Sequence, residues 1–223
     1  MDRTATTATG PAPPLRWAAF YVAAPTAYAV VLLASGRNAV AGIAYFVVTL
    51  LTAFALLRLA REREVNRATL GLRARPRLRD VTLALGAFLL VGGLFPLVTA
   101  LVEGAGGTMF WGDAERGTRF DTLRVLVVLG AILLAPFAEE LWFRGYLIPA
   151  LEPKVGTWAA VAVSSLAFGF VHLYGGIGFA VYIGLWAFAP AALFVWTRSL
   201  WGPVLLHTLN NIFAHVVVPI VFE

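Results

Sequence analysis

The sequence contains no cysteine. Disulfides, thiolate-held zinc, iron–sulfur clusters and a cysteine nucleophile are therefore excluded. Charge is scarce as well: 13% of the 223 residues are Asp, Glu, Lys or Arg, against about 25% in a soluble domain. No run alternates apolar and polar residues in the manner of a membrane strand, which argues against a β-barrel. No segment repeats, and no HExxH occurs, so the helix-borne zincin site is missing. What fills the chain is apolar, 60% of its residues being hydrophobic. A globule of this size has too much surface to cover with polar groups for such a composition. An ordinary soluble enzyme, a disordered chain and a collagen-like architecture are excluded, and an integral membrane protein is expected.

The formal net charge is +5. The arginines lie between apolar runs, so membrane orientation explains them better than nucleic-acid binding, and no nucleic-acid partner is expected. Crossing the hydrocarbon core as a helix takes about 20 apolar residues. Segments 17–35, 39–59, 81–102, 122–148, 157–173, 177–197 and 201–221 reach or approach that length. The predicted fold class is all-α, a polytopic transmembrane helical bundle of about seven or eight helices. Residues 1–15 read as a disordered cytoplasmic tail. Residues 16–223 read as one transmembrane domain, with its motif-bearing half at 122–215. The 58–80 loop holds eight arginines, which makes it cytoplasmic by the positive-inside rule. The N-terminus, the 149–156 turn and Arg198 then fall on the cytoplasmic side of a multi-pass cell-membrane protein. The same loop can also meet anionic lipid headgroups.

An ionised side chain near the bilayer centre costs on the order of 2.5–3.5 kcal/mol on insertion scales. The first three spans hold almost none, whereas the last four hold Glu139, Glu140, Arg144, His172, His207, Asn210, Asn211 and His215. At helical spacing Glu140 and Arg144 lie about 40° apart and form an ion pair, while Glu139 is turned about 100° away from Glu140. Glu140 and Arg144 thus read as structural support and Glu139 as a reactive carboxylate; the bland alternative is an interfacial charge cluster. Phe168 and His172 share a helix face. A fold-back within 152–156 sets Glu139 and His172 at one level, where a carboxylate and an imidazole can deprotonate a shared water. His207 and Asn211 also share a face and offer donors to an oxyanion. Asn210 and His215 read as structural. One number resists: His207 is roughly 10 Å into its span, while Glu139 and His172 are roughly 25 Å from their turn. Protrusion of the long 122–148 segment beyond the membrane would reconcile them.

Three motifs occur in order on separate spans: EExxxR at Glu139–Arg144, FxxxH at Phe168–His172 and HxxxN at His207–Asn211. Together they resemble the CAAX protease and bacteriocin-processing (CPBP, Abi) family of intramembrane proteases, over about residues 122–215. The resemblance implies a peptide hydrolase in which Glu139 and His172 activate water. His207 and Asn211 would stabilise the oxyanion, with Glu140, Arg144 and Phe168 in support. It implies a membrane-anchored protein or peptide substrate within the lipid bilayer and no metal or other cofactor. A zinc-dependent variant using Glu139, His172 and His207 is the alternative. A non-catalytic immunity or scaffold relative and a proton-coupled transporter are rivals of other classes; the transporter lacks inverted-repeat symmetry. A rhomboid-like serine enzyme fits worse, since Ser164 and Ser165 lie outside any GxSG.

Overall fold

The computed structural model describes residues 66–73, 75–105, 128–173 and 176–217, together with 13, 47, 50, 51, 53–58, 61 and 125. The predicted tail (Pro13 apart), the first span, most of the second, and the loop beyond residue 105 lie outside these residues. Among the described residues the regular structure is all helical. Besides helical residues at 53–58, α-helices run in the order α1 (Leu78–Gly104), α2 (Ala135–Glu140), α3 (Ile148–Val155), α4 (Thr157–Val171), α5 (Ile177–Trp186), α6 (Phe188–Thr197) and α7 (Trp201–Ile212). Three π-helical stretches interrupt or extend them: Gly130–Leu134, Leu141–Leu147 and Phe213–Val217.

Among the described residues two stretches are long and apolar enough to cross a membrane, Leu78–Leu101 and Ile177–Thr197; Thr157–Val171 is apolar but shorter. Of the seven predicted crossings, 17–35 lies outside the described residues, and 39–59, 122–148 and 201–221 lie there in part. Outward-facing positions on α1, α4 and α5 are apolar, among them Leu89, Leu90, Leu101, Leu166, Phe170, Ile177 and Val181. Such a surface belongs against lipid rather than water, as expected of a membrane protein.

Two predicted segments differ in detail from the observed helices. The 122–148 span does not end at a 149–156 turn: helix continues to Val155, and the chain reverses at Gly156, whose φ of +82° suits glycine alone. The 177–197 span is two helices meeting at Ala187. Pro190 explains the break, because it lacks an N–H and its ring crowds the carbonyl four residues back, that of Trp186.

The helices pack closely where side chains are small. A Cβ on Gly169 of α4 would lie 2.6 Å from the Ala180 carbonyl oxygen and 2.8 Å from Gly184 Cα of α5. At one end of the bundle, three segments far apart in sequence are tied together. Leu200 N–H bonds Gly71 O at 3.1 Å, and Trp201 Nε1–H bonds Arg73 O at 3.1 Å. Arg73 donates to Thr197 O and Arg198 O, and Arg79 to Trp196 O. These carbonyls end α6, where cations are favoured by the helix dipole. Arg198 in turn grips both oxygens of Glu152 at 2.7 Å. The arginine-rich segment, the Glu152–Gly156 region and Arg198 therefore share one end, the same three that charge counting groups on one side of a membrane.

Candidate active site

Glu139 and Glu140 are the last residues of α2, and Arg144 lies in the π-helical stretch that follows. All three are buried, with Glu140 and Arg144 fully so. Arg144 Nη1–H donates to Glu140 Oε1 at 3.0 Å. Its Nη2–H donates to Ala187 O at 3.0 Å, the carbonyl at the break between α5 and α6. Its guanidinium also lies 4.5 Å above the centre of the Phe168 ring. That carbonyl also accepts the Ala191 N–H at 3.2 Å. Among the described residues, Glu140 Oε2 and Arg144 Nε have no hydrogen-bond partner.

His207 comes from α7 and is buried. Its Nδ1 is 2.8 Å from Glu140 Oε1, and its Nε2 is 3.9 Å from Glu139 Oε2. Glu140 is bonded through that same oxygen to an arginine that stays charged, so it is an ionised carboxylate and only accepts. His207 Nδ1 must therefore carry a proton. Nε2 is then the nitrogen that faces Glu139, at a distance too long for a direct bond. If neutral, His207 presents a lone pair there; it donates from Nε2 only as the imidazolium.

His172 closes α4, with its Nδ1 2.7 Å from Phe168 O. A carbonyl only accepts, so Nδ1 again holds the proton and Nε2 is the basic nitrogen. His172 lies within electrostatic reach of Glu139, His207 and Arg144. Phe168 is the hub of the cluster. Its ring contacts those of His172 at 4.6 Å, Phe143 at 5.0 Å and His207 at 5.8 Å. Trp186 stands 5.1 Å from the His207 ring. Nothing in the motif spacing singled out Trp186 or the Ala187 carbonyl. Their signal was Pro190, which marks the break that brings both to the site.

Asn211, one turn beyond His207, donates from Nδ2 to Ala131 O at 2.8 Å. Part of its amide is thus engaged by backbone. Asn210 Nδ2 is 3.5 Å from Asn211 Oδ1, and His215 is exposed in the terminal π-helical stretch. Ser164 and Ser165 are fully buried, and the Ser164 hydroxyl donates to Phe143 O at 2.6 Å.

The discrepancy in depth between His207 and Glu139 is resolved by packing. A Cβ on Gly145 would lie 3.4 Å from Leu200 Cδ1, so those residues are level. Glu139 is six positions before Gly145 and His207 seven after Leu200, which brings them together. The helix continues beyond Gly145 to Val155. Among the described residues no group of three His, Asp or Glu side chains is arranged to hold a metal ion.

The site residues fall within one region of similarity to known proteins. Residues 121–213 match the family described as Type II CAAX prenyl endopeptidase Rce1-like. A relative from Bacillus subtilis (strain 168), named "Putative membrane peptidase YdiL", is 30% identical over 95 residues, which are 40% of this chain and 35% of that protein. The match spans about a third of that curated relative's length. No solved structure matches the chain. Three motifs on separate helices, drawn into one buried cluster, thus lie inside the region, residues 121–213, that is similar to the Type II CAAX prenyl endopeptidase Rce1-like family.

Proposed function

We propose that the protein is an intramembrane endopeptidase that hydrolyses a peptide bond of a membrane-anchored protein or peptide precursor, using a water activated by Glu139 and His172 and no metal. The observation that carries this reading is the 3.9 Å approach of Glu139 Oε2 to His207 Nε2 inside a buried cluster. At that spacing one oxygen set to the side of the line joining them can hydrogen-bond both the carboxylate and the imidazole. Glu139 takes a proton from water as the oxygen attacks the scissile carbonyl carbon. The carbonyl oxygen becomes an oxyanion, held by His207 as the imidazolium and by Asn211. The C–N bond then breaks, and the amine leaves with the proton returned from Glu139. Glu140 and Arg144 hold His207 in place. The chain is multi-pass in the cell membrane, with the arginine-rich end cytoplasmic, as the charge distribution supports.

The test is cleavage of a native substrate, found by comparing membrane-protein termini in cells with the wild-type protein and with Glu139→Ala. In proteoliposomes Glu139→Gln abolishes hydrolysis, while EDTA leaves the wild type active. Wild-type rates in Glu139→Gln would overturn the mechanism. Loss of activity on chelation alone would reassign the same residues as metal ligands.

A further inference from the structure

We infer that Pro136, which lies outside the three motifs, is a positioning residue that acts through Asn211; the inference rests on Asn211 being an oxyanion donor as proposed above. In the Gly130–Leu134 stretch, Ala135 N–H bonds Gly130 O, five residues back. The next bond of that ladder would run from residue 136 to Ala131 O. Residue 136 is proline and has no N–H to give. Ala131 is 7% exposed, so its carbonyl has little access to water, and an unpaired buried carbonyl is costly. Asn211 Nδ2 supplies the missing donor at 2.8 Å. An α-helical ladder would instead send the residue-136 bond to Ile132 O, and there the Thr208 hydroxyl approaches to 3.5 Å. Two residues of α7 thus fill the gap that one proline leaves in the helix before Glu139.

The chemical consequence is orientation. Ala131 O only accepts, so the amide nitrogen of Asn211 must face it, and one N–H is anchored there. The planar amide then holds its second N–H in a fixed direction, on the face that Asn211 shares with His207. A donor held in advance needs no reorganisation as charge develops on the substrate oxygen. With an N–H at position 136, the backbone would compete for Ala131 O and release the amide.

The experiment compares wild type, Pro136→Ala, Asn211→Ala and the double variant in detergent or proteoliposomes. The side-chain amide ¹⁵N–¹H signals of Asn211 are identified by their loss in Asn211→Ala. In the wild type one amide proton is protected from exchange; in Pro136→Ala that protection is lost while the melting temperature is kept. With the native substrate, kcat of Pro136→Ala falls toward the ~10²–10³-fold loss of an absent oxyanion donor, at a KM within about twofold. The double variant is no slower than Asn211→Ala. An unprotected Asn211 amide in the wild type overturns the inference, and so do losses that multiply in the double variant. Should Pro136→Ala fail to fold, Pro136→Ser and the wild-type spectrum carry the test. If the wild type cleaves no substrate, the proposed function fails, and the amide signals still decide the role of Pro136.

Discussion

At the scale of single residues, both histidines of the cluster spend Nδ1 on a neighbour, and the proposed chemistry falls to Nε2. His172 is fixed by the Phe168 carbonyl and His207 by Glu140. The two glutamates of one motif therefore differ in kind. Removing Glu140 or Arg144 strands a fully buried charge, at a cost of about 3–5 kcal/mol. Glu140→Gln and Arg144→Ala should lose that much stability in detergent unfolding and also yield less folded protein. Wild-type melting curves for both would contradict the structural role. Glu139→Gln should behave oppositely, melting as the wild type does while cleavage stops. The assignment of Glu140 to Arg144 was legible, since i,i+4 spacing on a helix needs no tertiary knowledge. Its second bond, to a histidine 67 residues away, was not, because spacing within a helix says nothing of what another helix brings.

At the scale of elements, glycine and proline decide where helices approach and where they break. Gly169 has no room for a methyl group against Ala180 and Gly184. Gly169→Ala should cost about 1–3 kcal/mol through overpacking, and Gly169→Val more, read as a fall in melting temperature. Equal melting points would mean that α4 and α5 separate freely. The helical nature of the segments and the order of the motifs were visible in the sequence through apolar run length. The π-helical stretches were not. A constant 100° per residue describes an α-helix, and nothing in Leu141–Leu147 by composition announces a wider turn. The break at Ala187 could not be read from apolar run length, and Pro190 accounts for it.

At the scale of the whole molecule, one end is fastened by charge. The two bonds from Arg198 hold the Glu152 carboxyl below the usual carboxylate range, with a further bond from Thr157 and against the effect of partial burial. A carboxyl lowered on folding contributes stability that is complete above its unfolded pKa and is lost as pH falls through the folded value. The melting temperature should therefore drop on acidification below about pH 4, and Glu152→Gln should drop less. The pair is partly exposed, so the difference is about 1 kcal/mol or less. An identical acid limb in both proteins would remove the pair from the account. Charge counting grouped this end correctly because arginine position is a property of sequence, whereas the bonds that fasten it depend on the ends of helices that only the fold brings together.

The sealed Ser164 hydroxyl has a practical consequence for how such a protein is found. Its proton is given to Phe143 O, both serines on α4 are inaccessible, and the chain has no thiol. Fluorophosphonates and iodoacetamides, the reagents that tag hydrolases by a serine or cysteine nucleophile, find neither an accessible serine of α4 nor a thiol at this site. A hydrolase that acts through a carboxylate and water leaves no label on itself, and in a survey made with those reagents its membrane would look empty of it.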